Sequence, residues 1–167
     1  MGISIQDSSG SDARTGSSTF SDPDKVDSLA DYANFLRNIR RDYARAEEMF
    51  ERAITADPNH AYSLGCYANF LKDVRRDYAR AEEMFERAIT ADPNHAHGLG
   101  WYANFLRNVR RDYDRAEALY ERAITADSTN AINLGNYANF LRNVRRDYDR
   151  AEEMYERAIT ADPNHGQ

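Results

Sequence analysis

The sequence predicts an all-α solenoid, a row of eight helices in four antiparallel pairs, on three grounds. The string ANFLRN (ANFLKD in one copy) begins at Ala33, Ala68, Ala103 and Ala138, each start 35 residues after the last. RRDY, RAE and ERAITAD recur on the same beat, and a fixed period of roughly 20 to 50 residues marks a repeat array. Prolines at 23, 58, 93 and 163 keep that beat, broken only by Ser128. Inside each copy the apolar residues follow helical spacing, and no segment alternates with period two, so no sheet is expected.

Residues 1–21 carry seven serines and three of the eight glycines. Too little apolar surface is present to offset the entropy of ordering, so this stretch reads as a flexible tail. The array comprises units 22–56, 57–91, 92–126 and 127–161, with DPNHGQ left over. Each Asp-Pro reads as a helix entry, because proline suits a first turn. In the second unit Leu64, Tyr67, Ala68 and Leu71 share one face, widened by Phe70 and Val74. Arg75-Arg76-Asp77 interrupts the pattern, with Asp77 as N-cap of the next helix. Tyr78, Ala81, Met84, Phe85, Ala88 and Ile89 then form a second stripe. Helices are expected near 59–74 and 77–91, and at the same places in every unit.

These residues resemble the tetratricopeptide repeat. Leu64, Tyr67, Ala68 and Leu71, then Ala81, Phe85 and Pro93, fall on the family's pattern, with Ala88 at the second small position. The same register fits Leu29/Tyr32/Ala33/Leu36, Leu99/Tyr102/Ala103/Leu106 and Leu134/Tyr137/Ala138/Leu141. Two departures concern the turn between paired helices. The unit has one residue more than the usual ~34, and Arg76 stands where the family has glycine. Arg115–Ile124 also has the flavour of half-a-tetratricopeptide repeats of RNA-processing factors; pentatricopeptide repeats share the length but not the base-reading pattern. The resemblance implies a right-handed superhelix whose first helices line a concave groove, a non-enzymatic scaffold for protein or peptide ligands. The chaperone-type carboxylate clamp is not expected, because Gly65, Gly100 and Gly135 occupy the place of its lysine.

With the core stripe assigned, Tyr62, Gly65, Cys66, Asn69, Lys72 and Asp73 are left to face the groove. The copies differ most here: Tyr62/Cys66 become His97/Trp101, then Ile132/Asn136, with Asp27/Asp31 in the first unit. Partner specificity accounts for this variation, with Tyr62 and Trp101 as aromatic anchors; free drift at exposed sites is the alternative. Asn34, Asn69, Asn104 and Asn139 form a row whose carboxamides can both donate and accept. They serve either the backbone of an extended peptide or the stacking of neighbouring helices. Arg37, Lys72, Arg107 and Arg142 run beside them and continue into four Arg-Arg pairs, twelve of the 22 basic residues. Overall charge is −6, so the expected field is polarised and would steer an acidic partner. Ion pairing with nearby Glu and Asp is the other use of the arginine pairs.

Other functions find little support. His60, His95 and His165 lie a repeat apart, and no nucleophile grouping, phosphate loop or metal-ligand spacing occurs, so no enzyme, cofactor or metal is expected. No run reaches the ~18 apolar residues of a membrane span, and MGISIQDSSG has neither secretory nor myristoylation character. The single Cys66 excludes an internal disulfide and fits a cytoplasmic setting. The expected ligand is an extended or helical acidic peptide. RNA binding along the arginine edge, or a designed or recently amplified structural array with no dedicated partner, are the alternatives. Finally, Leu29 and Phe35 stand where interior copies meet a preceding unit, with Phe20 of the tail as their available shield. Ala151, Tyr155, Ala158 and Ile159 stand where interior copies meet a following unit. Near-identical copies make these faces complementary, so head-to-tail self-association is expected.

Overall fold

The computed structural model describes residues 23–161; the serine-rich tail, Phe20 and DPNHGQ lie outside them. The described residues form α1 (Pro23–Phe35), α2 (Tyr43–Ala56), α3 (Ala61–Phe70), α4 (Tyr78–Ala91), α5 (Ala96–Phe105), α6 (Tyr113–Ala126), α7 (Ala131–Phe140) and α8 (Tyr148–Ala161). No strand occurs among them. Helices pair as α1/α2, α3/α4, α5/α6 and α7/α8. Each first helix also touches the first helix of the next pair, and each second helix packs on the first helix of the next unit. First helices therefore lie side by side along one surface, with second helices behind.

Small residues let the helices approach. Ala33, Ala68, Ala103 and Ala138 are fully buried on the first helices, as are Ala46, Ala81 and Ala116 on the second. Phe50, Phe85 and Tyr120 then bridge to the next unit. Phe85 lies 5.5 Å from Tyr102 with rings nearly parallel, and 5.4 Å from Phe105. Such pairs contribute beyond their burial.

The extra residue sits in the turn. Leu71–Arg75 continues α3 as one wider turn, in which the Arg76 N–H bonds back to the Leu71 carbonyl, five residues earlier. The Asp77 N–H reaches the same carbonyl at 3.1 Å. Widening a helix by one residue is how a chain absorbs an insertion without losing register. Leu36–Arg40, Leu106–Arg110 and Leu141–Arg145 repeat it. The residue that ends each turn is left-handed: Arg41, Arg76, Arg111 and Arg146 have φ of 58°, 57°, 57° and 60°. Arginine thus takes the conformation usually left to glycine, held there by the paired bonds to the leucine carbonyl. Asp77 caps α4 as expected, its carboxylate accepting from the Arg80 N–H at 3.1 Å.

The Asp-Pro dipeptides need a correction. Pro23 opens α1, but Pro58 and Pro93 are not in the first turn of a helix; they occupy tight turns that precede α3 and α5. In each, the histidine N–H returns to the aspartate carbonyl, as His95 does to Asp92 at 3.3 Å, and proline suits the second position of such a turn. Ser128 fills that position equally well, which is why the broken beat leaves the fold unchanged. The cap itself is the histidine. His95 Nδ1 accepts from the Gly98 N–H at 3.0 Å, and the Asn130 carboxamide oxygen does the same for the Asn133 N–H at 3.1 Å.

Burial holds the His95 pKa below its ordinary value, and protonation at Nδ1 would abolish the acceptor. A depressed histidine pKa means stability that is present above the unfolded value of about 6.5 and is lost as pH falls through the folded one. His95→Asn, which copies the fourth unit, is expected to keep the cap and to flatten the decline in stability between about pH 7 and 5, a cap being worth about 1 kcal/mol. Urea unfolding at both pH values checks this, and an unchanged slope against pH would contradict it.

Candidate functional site

The exposed surface of α1, α3, α5 and α7 is built from what the core leaves over. On it, Asn34, Arg37, Tyr62, Cys66, Asn69 and Trp101 surround one hollow of about 310 Å³. Arg107 and Asn139 line a second, of about 370 Å³, at the edge where two wide turns meet the start of α6, with Asn108, Arg111, Tyr113, Asn143 and Val144. The two hollows gather Asn34, Tyr62, Cys66, Asn69 and Trp101 in one place and Arg107 and Asn139 in another; Lys72, His97, Asn104, Ile132, Asn136 and Arg142 line neither of them.

Several of them differ from expectation. Cys66 is buried, not open to a ligand; it accepts a bond from Asn34 Nδ2 at 3.4 Å, and burial pushes its thiol pKa up. It is therefore a small packing residue and a poor nucleophile. Gly65 is likewise covered, because the Trp101 ring rests on it: a Cβ there would lie 2.9 Å from the ring. Gly100 carries Asn133, which is buried and donates to the Ala96 carbonyl at 2.9 Å. These glycines admit the next unit's side chain. Tyr62 and Trp101 are half-buried, 6.4 Å apart, and the Tyr62 hydroxyl donates to Asp31 at 2.9 Å. They are walls of the hollow as much as anchors. His97 and Ile132 are exposed, and Asn136 is partly buried. Asn38, Asn108 and Asn143 were not singled out from the sequence; the signal for them was their place beside each groove arginine.

The asparagine row divides. Asn104 Oδ1 accepts from Tyr120 at 2.6 Å and Asn139 Oδ1 from Tyr155 at 2.7 Å, tying each first helix to its own second helix. Asn69 Oδ1 accepts from Lys72 at 3.1 Å. Each of these three keeps its amide N–H₂ as a donor, while one of the two acceptor positions on its oxygen is taken. The oxygens of Asn104 and Asn139 serve helix stacking.

The arginines divide too. Arg75, Arg110 and Arg145 are bound to Glu47, Glu82 and Glu117 of the preceding unit, their Nε atoms at 2.8, 2.7 and 2.7 Å. Each glutamate also accepts from a tyrosine, as Glu47 does from Tyr67 at 3.3 Å. Burial, against the opposing pull of Arg80, leaves the Tyr67 phenol pushed up to about 12, so it remains a neutral donor. Those arginines stack the units and are not a free basic edge. Arg37, Arg107 and Arg142 instead donate to the neighbouring Asn38, Asn108 and Asn143 at 2.8–3.0 Å. Among the described residues no carboxylate lies within ion-pair distance of these three; Lys72 has Asp73 at 3.3 Å. Arg37 Nη1 is closed off from solvent and has no hydrogen-bond acceptor among the described residues. Of the stacking residues named from the sequence, Phe35 and Ile159 are exposed and Leu29, Tyr155 and Ala158 partly buried. Ala151 is buried within its own helix pair, because it fills the α7/α8 crossing as Ala116 fills α5/α6, so it is not on the open face.

Tetratricopeptide-repeat family models match residues 40–60, 73–131 and 134–167. The chain belongs to the tetratricopeptide-repeat family. As a member of that family it is a protein-interaction scaffold in general character. No curated protein sequence matches it. Solved structures show the same fold. PilF of Pseudomonas aeruginosa superposes with a TM-score of 0.73 at 19% identity over 85% of this chain, which spans only 63% of the PilF chain. MamA superposes at 0.66 and 15% identity, over 86% of this tetratricopeptide-repeat chain and 82% of its own. Among the described residues no helix is long and apolar enough to cross a membrane, and no group of three or more His, Cys, Asp or Glu could hold a metal.

Proposed function

We propose that this scaffold is non-enzymatic and holds an extended or helical acidic peptide against α1, α3, α5 and α7. The observation that carries this reading is the chemistry left over on that surface. Its carboxylates Asp31 and Asp73 are engaged by Tyr62 and Lys72, which leaves a surplus of donors. Amide groups of Asn69, Asn104 and Asn139, whose oxygens are already engaged, stand beside guanidinium groups of Arg37, Arg107 and Arg142, which face no carboxylate among the described residues. An Asp- or Glu-bearing peptide supplies the complementary acceptors, and charge-assisted bonds of this kind are the stronger ones. RNA is disfavoured because the arginine pairs that would form its track spend Arg75, Arg110 and Arg145 on glutamates of the neighbouring unit.

Binding of a labelled Glu-rich peptide, compared with its Lys-rich counterpart, tests the proposal. Arg107→Ala and Asn139→Ala are each expected to weaken the Glu-rich peptide by about 1–2 kcal/mol, with thermal stability little changed by Arg107→Ala. Equal binding of the two peptides, or a single-stranded RNA isotherm that falls ~10³-fold between about 50 and 200 mM salt, would overturn it.

A further inference from the structure

Among the described residues, the bonds that join neighbouring units leave two halves unmatched. At each internal junction a tyrosine and a phenylalanine from a first helix pack on an aromatic residue of the preceding unit, and an arginine reaches that unit's glutamate. Tyr67, Phe70 and Arg75 meet Phe50 and Glu47; Tyr102, Phe105 and Arg110 meet Phe85 and Glu82; Tyr137, Phe140 and Arg145 meet Tyr120 and Glu117. The same set stands at α1 with nothing of that kind against it among the described residues. Tyr32 is 40% and Phe35 43% exposed, whereas Tyr67 is 3% and Phe70 0% exposed.

This half is already arranged. Arg45 donates to the Tyr32 hydroxyl at 2.9 Å, as Arg80 does to Tyr67 at 2.7 Å. Arg40 lies 5.8 Å over the Phe35 ring, as Arg75 lies 5.6 Å over Phe70. The other half is on α8. Glu152 and Glu156 are exposed there, one 35-residue step beyond Glu117 and Glu121. Ile159 is 69% exposed, against 9% for its counterpart Ile124. Among the described residues nothing lies within 4 Å of where a Cβ on Gly135 of α7 would stand, although Gly65 and Gly100 are each covered by a side chain of the next unit.

We infer that the α7/α8 face of one copy of this chain docks on the α1 face of a second copy, reproducing the internal junction. The template defines the contacts: Arg40 of one copy binds Glu152 of the other, Tyr32 donates to that Glu152 and Glu156, and Tyr32 and Phe35 cover Tyr155. The contact joins two different faces, so it propagates instead of closing into a two-fold dimer. Apolar rings are covered on both sides, and the charges that rim them are opposite in sign. This association is independent of the groove and leaves α3 and α5 open along the assembled row.

Sedimentation velocity on the full chain across a range of concentrations tests the inference. Wild type is expected to sediment faster as concentration rises. Arg40→Glu and Glu152→Arg, each confirmed as folded by circular dichroism, are each expected to weaken association roughly tenfold or more by placing like charges together. An equimolar mixture of the two variants is expected to associate again, because each supplies the charge the other lacks. A wild type that stays monomeric throughout, folded variants that associate like wild type, or a mixture that stays monomeric would each overturn it.

Discussion

Phe85→Ala is expected to lower the unfolding free energy by about 3–5 kcal/mol. Phe85 is fully buried and is the shared residue of two units, stacked on Tyr102 and tilted against Phe105. Removing its ring leaves a cavity at a junction instead of inside one helix pair. In a solenoid, stability is close to a sum of unit and nearest-neighbour terms, so the loss falls on the coupling of the second unit to the third. Urea unfolding should therefore show a lower midpoint and a less cooperative transition. Phe85→Tyr is the control, expected to cost less than about 1.5 kcal/mol. Tyr120 fills the equivalent place in the third unit with its hydroxyl on Asn104, and a hydroxyl added at position 85 would stand in the same relation to Asn69. A loss below about 1 kcal/mol for the alanine variant would mean that the junction is not where stability resides.

The second large effect is a change of sign between two chemically identical substitutions. Gly100→Ala is expected to destabilise by about 1–3 kcal/mol through overpacking, while Gly135→Ala stabilises by about 0.5–1 kcal/mol, the usual gain when alanine replaces a helical glycine. A Cβ on Gly100 would stand 2.1 Å from Asn133 Oδ1. Asn133 cannot easily swing away, since it is buried and bonded to the Ala96 carbonyl. At Gly135 no described residue lies within 4 Å of the same point. Adding Asn133→Ala to Gly100→Ala should recover part of the loss, and a double-mutant cycle by thermal unfolding measures that coupling. Two alanine variants that shift stability in the same direction would show that Gly100 does not serve close approach.

The candidate site was legible in outline. The row Asn34, Asn69, Asn104 and Asn139 lies on the first helices and the cations Arg37, Lys72, Arg107 and Arg142 lie in the wide turns that continue them, because the same spacing recurs in every unit. Which of their atoms remain for a ligand was not legible. Asn104 and Asn139 differ from Asn69 through a hydroxyl sixteen residues further on, present in Tyr120 and Tyr155 but absent from Phe85. The division of the basic residues escaped for a similar reason. Lys72 and Arg75 are both cations near the end of one helix, but only Arg75 is carried by the wide turn towards Glu47 of the preceding unit.

The repeat, the eight helices, their caps at Asp42, Asp77 and Asp112, and the buried alanine crossings can all be read from the residue letters, because each depends on spacings within one unit and on local hydrogen bonding. Three-dimensional packing was needed to show how the thirty-fifth residue is absorbed, why the glycines are there, and which cations remain unpaired. The wide turn depends on two N–H groups sharing the Leu71 carbonyl, a choice the residue letters leave open. Gly65 and Gly100 depend on Trp101 and Asn133, which arrive from the next unit at a distance set by helix packing. Interactions within a unit repeat with the letters, whereas those between units depend on where packing brings two different sets of letters together.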